Sequence, residues 1–220
     1  MSRMILIMGE SGSGKTTSMR NLDPKSTFYI DCDKKGLSWK GWRKQYIPTE
    51  KDKKNGNYWA SSNASAITQI MVKISAEKPQ IKTIVIDTLN WVMIDDEFKR
   101  MKEKGYDKWQ DLAFSVKEMV AMGQQLREDL TVIFTAHTQT ERDDSGFAFT
   151  RMKTSGKKLD KISIESMFTT VLLAKCVDGK YLFETQSDNS TAKSPMRAFE
   201  EKEIENDITK VIKALEEFLE

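Results

Sequence analysis

Cysteine and histidine are scarce in this sequence: two cysteines, Cys32 and Cys176, and one histidine, His137, among 220 residues. Two thiols cannot build a disulfide framework. With no Cys-x-x-Cys pair and no His-rich tract there is no zinc signature either, so a reducing cytoplasmic compartment is expected. No apolar run approaches the ~18 residues of a membrane span. The amino end carries one arginine and a five-residue apolar run, Met4–Met8, with no small-residue cleavage site after it, so no signal peptide is expected. Repeats and low-complexity tracts are missing too. An excess of one sign of charge is almost absent, since 35 basic and 33 acidic residues leave a net +2.

That small net charge is made of separated patches. Lys34–Lys54 holds eight Lys/Arg against two acids, and Arg151–Lys161 holds five against one. Glu200–Glu220 runs the other way, with eight acids and three lysines. Patches of this kind are what a polyanion feels.

Hydrophobic patterning predicts one α/β domain over residues 1–220. Met4–Met8, Thr27–Asp31, Thr83–Asp87 and Thr131–Ala136 read as short buried strands. Helices are expected over Lys15–Leu22, Ala64–Glu77, roughly Trp91–Lys104 and Trp109–Leu130, and Asp207–Leu219. Residues 34–62 read as a long functional loop or a small insertion with a helix near Trp39–Tyr46. Glu141–Asp160 reads as a mobile basic loop. Phe168–Ala174 and Tyr181–Thr185, split by Asp178-Gly179, read as a β-hairpin. The alternation of strands and helices implies a mainly parallel central sheet flanked by helices, with the antiparallel C-terminal hairpin at its edge.

The chemistry is carried first by Gly9-Glu10-Ser11-Gly12-Ser13-Gly14-Lys15-Thr16, followed by Thr17, which satisfies G-x-x-x-x-G-K-[ST] between a strand and a helix signal. Glycines let backbone N–H groups wrap an anion. Lys15 would neutralise the β and γ phosphates of ATP, and the Thr16 hydroxyl would ligate Mg²⁺. Ile84-Val85-Ile86-Asp87, an apolar strand ending in an acid, supplies a second metal-side group in Asp87. Asp33, just past the tip of Thr27–Asp31, is the candidate for activating water, with Asp31 as the nearer competitor and a solvated loop acid as the plain alternative. Strand tips line the ligand crevice of an open α/β sheet. His137, at the end of Thr131–Ala136, would report the γ-phosphate or simply close its strand.

This set, with Tyr29-Ile30-Asp31-Cys32-Asp33 and Ile133-Phe134-Thr135-Ala136-His137, resembles a RecA-type P-loop ATPase core. The Asp178-Gly179-Lys180-Tyr181 turn and the Thr191–Met196 segment are similar to those of phage-encoded RecA-core proteins, some grouped with single-strand DNA annealing proteins of the Sak type. The resemblance implies Asp33 as catalytic acid, though the family carries the longer Glu there, and His137 as sensor. It implies single-stranded DNA contact by the loop after the sensor strand, through Arg142, Arg151, Lys153, Lys157 and Lys158. It also implies a head-to-tail homo-oligomer, ring or filament, in which Lys193 reaches the neighbour's nucleotide.

Read without the family, Arg151–Lys161 joins charge to a loop and favours polyanion contact. In Lys34–Lys54, Trp39, Trp42 and Tyr46 either stack bases beside the lysines or pack on the sheet while the lysines face water. The reading that follows is a Mg-dependent, DNA-stimulated ATPase in phage recombination, annealing or replication, with a single-strand DNA-binding protein as a further partner and no membrane. Its rivals are a small-substrate P-loop kinase, with Arg142 or Arg151 on a lid, and a DNA-annealing scaffold whose nucleotide is structural.

Overall fold

The computed structural model describes residues 1–105, 107–155 and 163–219. Four strands fall where apolar runs place them: β1 (Arg3–Met8), β2 (Thr27–Asp31), β4 (Thr83–Asp87) and β5 (Thr131–Ala136). All are buried on both faces, as strands of a covered parallel sheet must be. With β3 (Tyr58–Ala60), β8 (Thr170–Val177), β9 (Lys180–Glu184) and β10 (Glu203–Glu205) they form one eight-stranded sheet of order β10-β9-β8-β1-β5-β4-β2-β3. From β8 to β3 every pairing is parallel, and β9 and β10 add antiparallel strands at one edge. β5 lies between β1 and β4, so Gly9 and Asp87 leave neighbouring but non-adjacent strand tips.

Side chains alternate across the sheet and make two cores. Leu6, Met8, Ile30, Ile86 and Phe134 face α2 (Ala64–Glu77), α3 (Leu89–Lys99) and α4 (Asp107–Gln125). Ile5, Ile7, Tyr29, Val85 and Leu172 face Met19, Tyr46 and α5 (Ile208–Leu219), whose Ile208, Val211 and Leu215 form one stripe. α2 spans the predicted residues because Ile67, Met71 and Ile74 repeat at helical spacing and Asn63 caps it by accepting from the Ala66 N–H at 2.9 Å.

The structure corrects several local expectations. Lys15–Leu22 is not an α-helix but a 3₁₀ turn, Thr17–Met19. After one bond from Ser18 N–H to Gly14 O, the N–H groups of Met19, Arg20 and Leu22 each reach back only three residues. Ser18 Oγ meanwhile donates to Lys15 O at 2.6 Å, so hydroxyl competition tightens the turn. Residues 141–155 are not one loop, and 156–160 lie outside the described residues. β6 (Thr138–Arg142) and β7 (Ala148–Met152) pair as a hairpin of their own, closed where Asp143 Oδ1 accepts the N–H groups of Ser145 and Phe147.

The C-terminal hairpin begins later than expected, with β8 parallel to β1 on one side and antiparallel to β9 on the other. Asp178 and Gly179 turn it with φ of 50° and 76°, the double positive φ of a type I′ turn. In the basic segment α1 (Trp42–Gln45) and β3 form, and the aromatics go inward. Tyr46 stands edge-on to Tyr29 at 5.5 Å and Trp39 to Tyr46 at 6.0 Å, while Trp42 tilts against Tyr58 at 5.3 Å. Burying such rings is worth more than stacking them in solvent; Lys34, Lys35, Lys40, Arg43 and Lys44 remain exposed.

Candidate nucleotide site

β1 delivers the chain into residues 9–16 at the tip of the sheet, where neighbouring atoms leave no room for a Cβ at Gly9 or Gly14. A Cβ on Gly9 would lie 2.5 Å from Ala174 O; one on Gly14, whose φ is +92°, would lie 2.9 Å from Tyr181 Cδ1. Asn206 reaches the same glycine from the β10–α5 junction, and Arg20 donates to Asn206 O at 2.9 Å while Asn21 donates to Asp207 Oδ2 at 2.6 Å. The loop is therefore clasped by the C-terminal part of the fold.

A cleft of about 360 Å³ opens here, walled by Gly12, Lys15, Thr16, Lys35, Asp87 and His137, with Tyr181 packed beside Gly14. Lys15 Nζ donates to Gly9 O at 2.8 Å and Glu10 O at 2.7 Å. Burial pushes its ammonium down to about 8, with Asp87 opposing that shift and Lys35 adding to it. Asp87 collects three hydroxyls: Thr16 at 2.8 Å and Tyr29 at 2.6 Å on Oδ2, and Thr135 on Oδ1. Tyr29 is fully buried, and burial and then Asp87 hold its phenol far above the usual range, so it serves as a fixed proton donor.

Two features of the loop suit a triphosphate. Ser13 Oγ and Asn206 Nδ2 are buried without a partner beside glycines that only a Cβ-free backbone allows. Thr16 Oγ1 and Asp87 offer hard oxygens, the donor chemistry Mg²⁺ takes. Among the described residues no group of three or more His, Cys, Asp or Glu is placed to hold a metal, so Mg²⁺ at this pair would complete its shell with phosphate and water.

The other predicted residues fall as follows. His137 lines the cleft, and burial, then Lys15 and Lys35, push its imidazole down toward the neutral form. Asp31 is buried and acts as a scaffold, accepting the N–H groups of Lys34 at 3.0 Å and Gly36 at 2.8 Å and the Tyr58 hydroxyl. Asp33 is ion-paired to Lys35, and it is Lys35 that reaches the cleft wall. Burial, then a hydrogen bond to Asp31, lifts the Asp33 carboxyl to about 6.

Arg142 and Lys153 are exposed on the β6–β7 hairpin, whereas Arg151 is half-buried with Glu141 at 3.9 Å. Lys157 and Lys158 lie outside the described residues. Lys193 is exposed along a different cleft, its backbone paired with Val171 toward the start of β8.

Sequence reasoning missed Tyr29, Thr135, Lys35 and Asn90. Asn90, the second residue of α3, accepts the His137 N–H at 2.7 Å and donates to Lys153 O at 2.8 Å. The Lys153 N–H returns to His137 O at 2.7 Å. One buried amide thus ties both roots of the β6–β7 hairpin to the start of α3, three residues past Asp87. A strand-tip polar residue so near Asp87 was the available signal.

A glycine-built loop after β1, a Lys-Thr pair at its end and an acidic strand tip two strands over, with β5 between, define a P-loop nucleoside triphosphatase. The sequence matches the family model described as AAA domain over residues 1–196, and the chain belongs to that family: it is a nucleotide-binding P-loop ATPase. No curated protein matches it. Among the described residues no helix is long and apolar enough to cross a membrane.

Proposed function

We propose that the chain is a RecA-like ATPase of the Sak-type group, which hydrolyses Mg-ATP and couples that hydrolysis to single-stranded DNA during phage recombination, annealing or replication. The observation that carries this reading is the Asn90 clamp, which makes the nucleotide cleft and the β6–β7 hairpin one hydrogen-bonded unit. Lys15 and the loop N–H groups would hold the phosphates, and Thr16 and Asp87 the metal. When bound, Mg-ATP supplies an electrophilic terminal phosphorus whose developing charge the metal helps to neutralise.

Asp33 stands behind Lys35 rather than in the cleft wall, so it would orient the attacking water and take its proton once that ion pair opens, a task suited to a carboxyl lifted to about 6. His137, largely neutral and sharing its backbone with the hairpin root, passes the state of the cleft to Arg142 and Lys153. The hairpin tip carries Asp143 and Asp144, so the DNA backbone runs along the hairpin's base and the basic residues Arg151, Lys153, Lys157 and Lys158 rather than over its turn. Lys193, pointing into a separate cleft, is the group offered to a neighbouring copy in a head-to-tail assembly.

The test is ATP hydrolysis with and without oligo-dT, at two salt concentrations. Stimulation by DNA that fades steeply with salt and vanishes in Lys15→Ala supports the proposal. Phosphate transfer to a nucleoside, or annealing that survives Lys15→Ala, would replace it with a kinase or a scaffold.

A further inference from the structure

Lys35 enters no motif, yet the fold aims it with care. The turn that follows β2 is held by Asp31, whose carboxylate takes the N–H groups on either side of Lys35, those of Lys34 and Gly36, together with the Tyr58 hydroxyl. Two residues of that turn have positive φ, Lys34 at 59° and Gly36 at 85°. A Cβ on Gly36 would meet the Trp42 ring at 2.8 Å, so the backbone is pressed against the aromatic cluster and has little freedom. The side chain this turn projects reaches the cleft wall beside Lys15, Thr16, Asp87 and His137.

There its charge is felt. Burial works against the Lys35 ammonium, but Asp33, then Asp87 and Asp31, outweigh it and keep the group cationic. Lys35 in turn helps to lower both Lys15 and His137. Three basic groups therefore crowd one cleft. Lys15 is committed to the carbonyls of Gly9 and Glu10, but Lys35 is tethered only through its side chain to Asp33 and is 62% exposed. An ammonium keeps three donors on a flexible stem, so it can change partners without backbone movement.

Lys35 also sits on the side of the cleft formed by the tips of β2, β4 and β5. The P-loop at the tip of β1 cradles the inner phosphates, and what lies beyond it, toward Asp87 and His137, is the terminal one.

We propose that Lys35 is a second phosphate-facing cation, parked on Asp33, that grips the terminal phosphate and makes the site prefer a nucleoside triphosphate to a diphosphate. This rests on the nucleotide reading above and extends it to a residue with no place in the P-loop motif. The exchange of partners also leaves the Asp33 carboxylate free to accept from water.

The experiment is equilibrium titration of the full chain with Mg-ATP and Mg-ADP, read by calorimetry without turnover. Lys35→Ala should weaken ATP about tenfold, the scale of one lost charge-assisted contact, and ADP less than about twofold. Lys35→Arg, which keeps the charge, should restore most of the preference. Asp33→Asn, which strips Lys35 of its resting partner, should keep or sharpen it. Equal weakening of both nucleotides, or of neither, in Lys35→Ala overturns the proposal, as does loss of the preference in Asp33→Asn. Wild-type protein that binds neither nucleotide would instead sink the nucleotide reading and this inference with it; Lys15→Ala, expected to lose both, separates the two failures.

Discussion

Replacing Asn90 by alanine tests whether the hairpin is fastened to the nucleotide cleft as described. The substitution removes an acceptor for the His137 N–H at 2.7 Å and a donor to Lys153 O at 2.8 Å. Asn90 is 5% exposed, so water cannot readily replace either bond. Each orphaned backbone group costs ~1–3 kcal/mol when buried. Alanine returns up to ~0.7 kcal/mol through its better helix propensity near the start of α3.

The net loss is therefore about 1–5 kcal/mol, a large share of the ~5–15 kcal/mol that holds a domain together. For a chain of this size that lowers the melting temperature by about 2–20 °C. Urea unfolding gives the global figure. Hydrogen exchange at the His137 and Lys153 amides gives the local one, and both should lose protection ahead of β5. Asn90→Asp keeps the acceptor and loses the donor, so it should fall between. Stability within ~0.5 kcal/mol of wild type, with His137 still protected in Asn90→Ala, would refute the clamp.

Three further outcomes follow from the same geometry. Lys15 has its pKa lowered from 10.5 to about 8, chiefly by burial, so its share of stability is present above 10.5 and lost as pH falls through about 8. Lys15→Met should consequently lose nucleotide binding, and its stability relative to wild type should be greatest near pH 7 and shrink by roughly 3 kcal/mol on going above pH 10.5, in paired urea titrations. Asp33 runs the other way: raised from 3.8 to about 6, it contributes stability below pH 4 that fades through pH 6, and Asp33→Asn should flatten that part of the stability profile. Gly14→Ala should cost at least ~1 kcal/mol through its positive φ alone and abolish ATP binding measured by calorimetry, because Tyr181 can swing away from the new methyl but the backbone cannot leave φ +92°.

What could be read from the sequence, and what could not, divides along physical lines. β2, β4 and β5 fall on the predicted residues because a strand buried on both faces must be apolar throughout, and α2 because its stripe repeats at helical spacing. β6 and β7 carry Thr, Gln, Glu and Arg on a two-stranded ribbon of which Thr138 and Met152 alone are buried, so no periodicity marks them. The turn after Gly14 reads as a helix because its composition allows one; the Ser18 hydroxyl, which donates to the Lys15 carbonyl, decides otherwise through a contact that no window average contains.

At the site, glycine spacing announces the loop, and an apolar strand announces Asp87. Tyr29 is hidden because it looks like core, and it is core, with only its hydroxyl reaching Asp87 two strand positions on. Lys35 is hidden because its aim depends on Asp31, Tyr58 and Trp42, brought together only when β3 joins the sheet edge.

The latch between the phosphate loop and the end of the chain sets a practical boundary for anyone cutting the gene. The AAA-domain match stops at 196, but a fragment trimmed there would discard Asn206 and Asp207, the hooks for Arg20 and Asn21. It would also strip the greasy stripe of Ile208, Val211 and Leu215 from the sheet and leave Ile5, Ile7 and Leu172 wet. Such a fragment would keep every letter of the signature and lose the brace that gives the signature its shape.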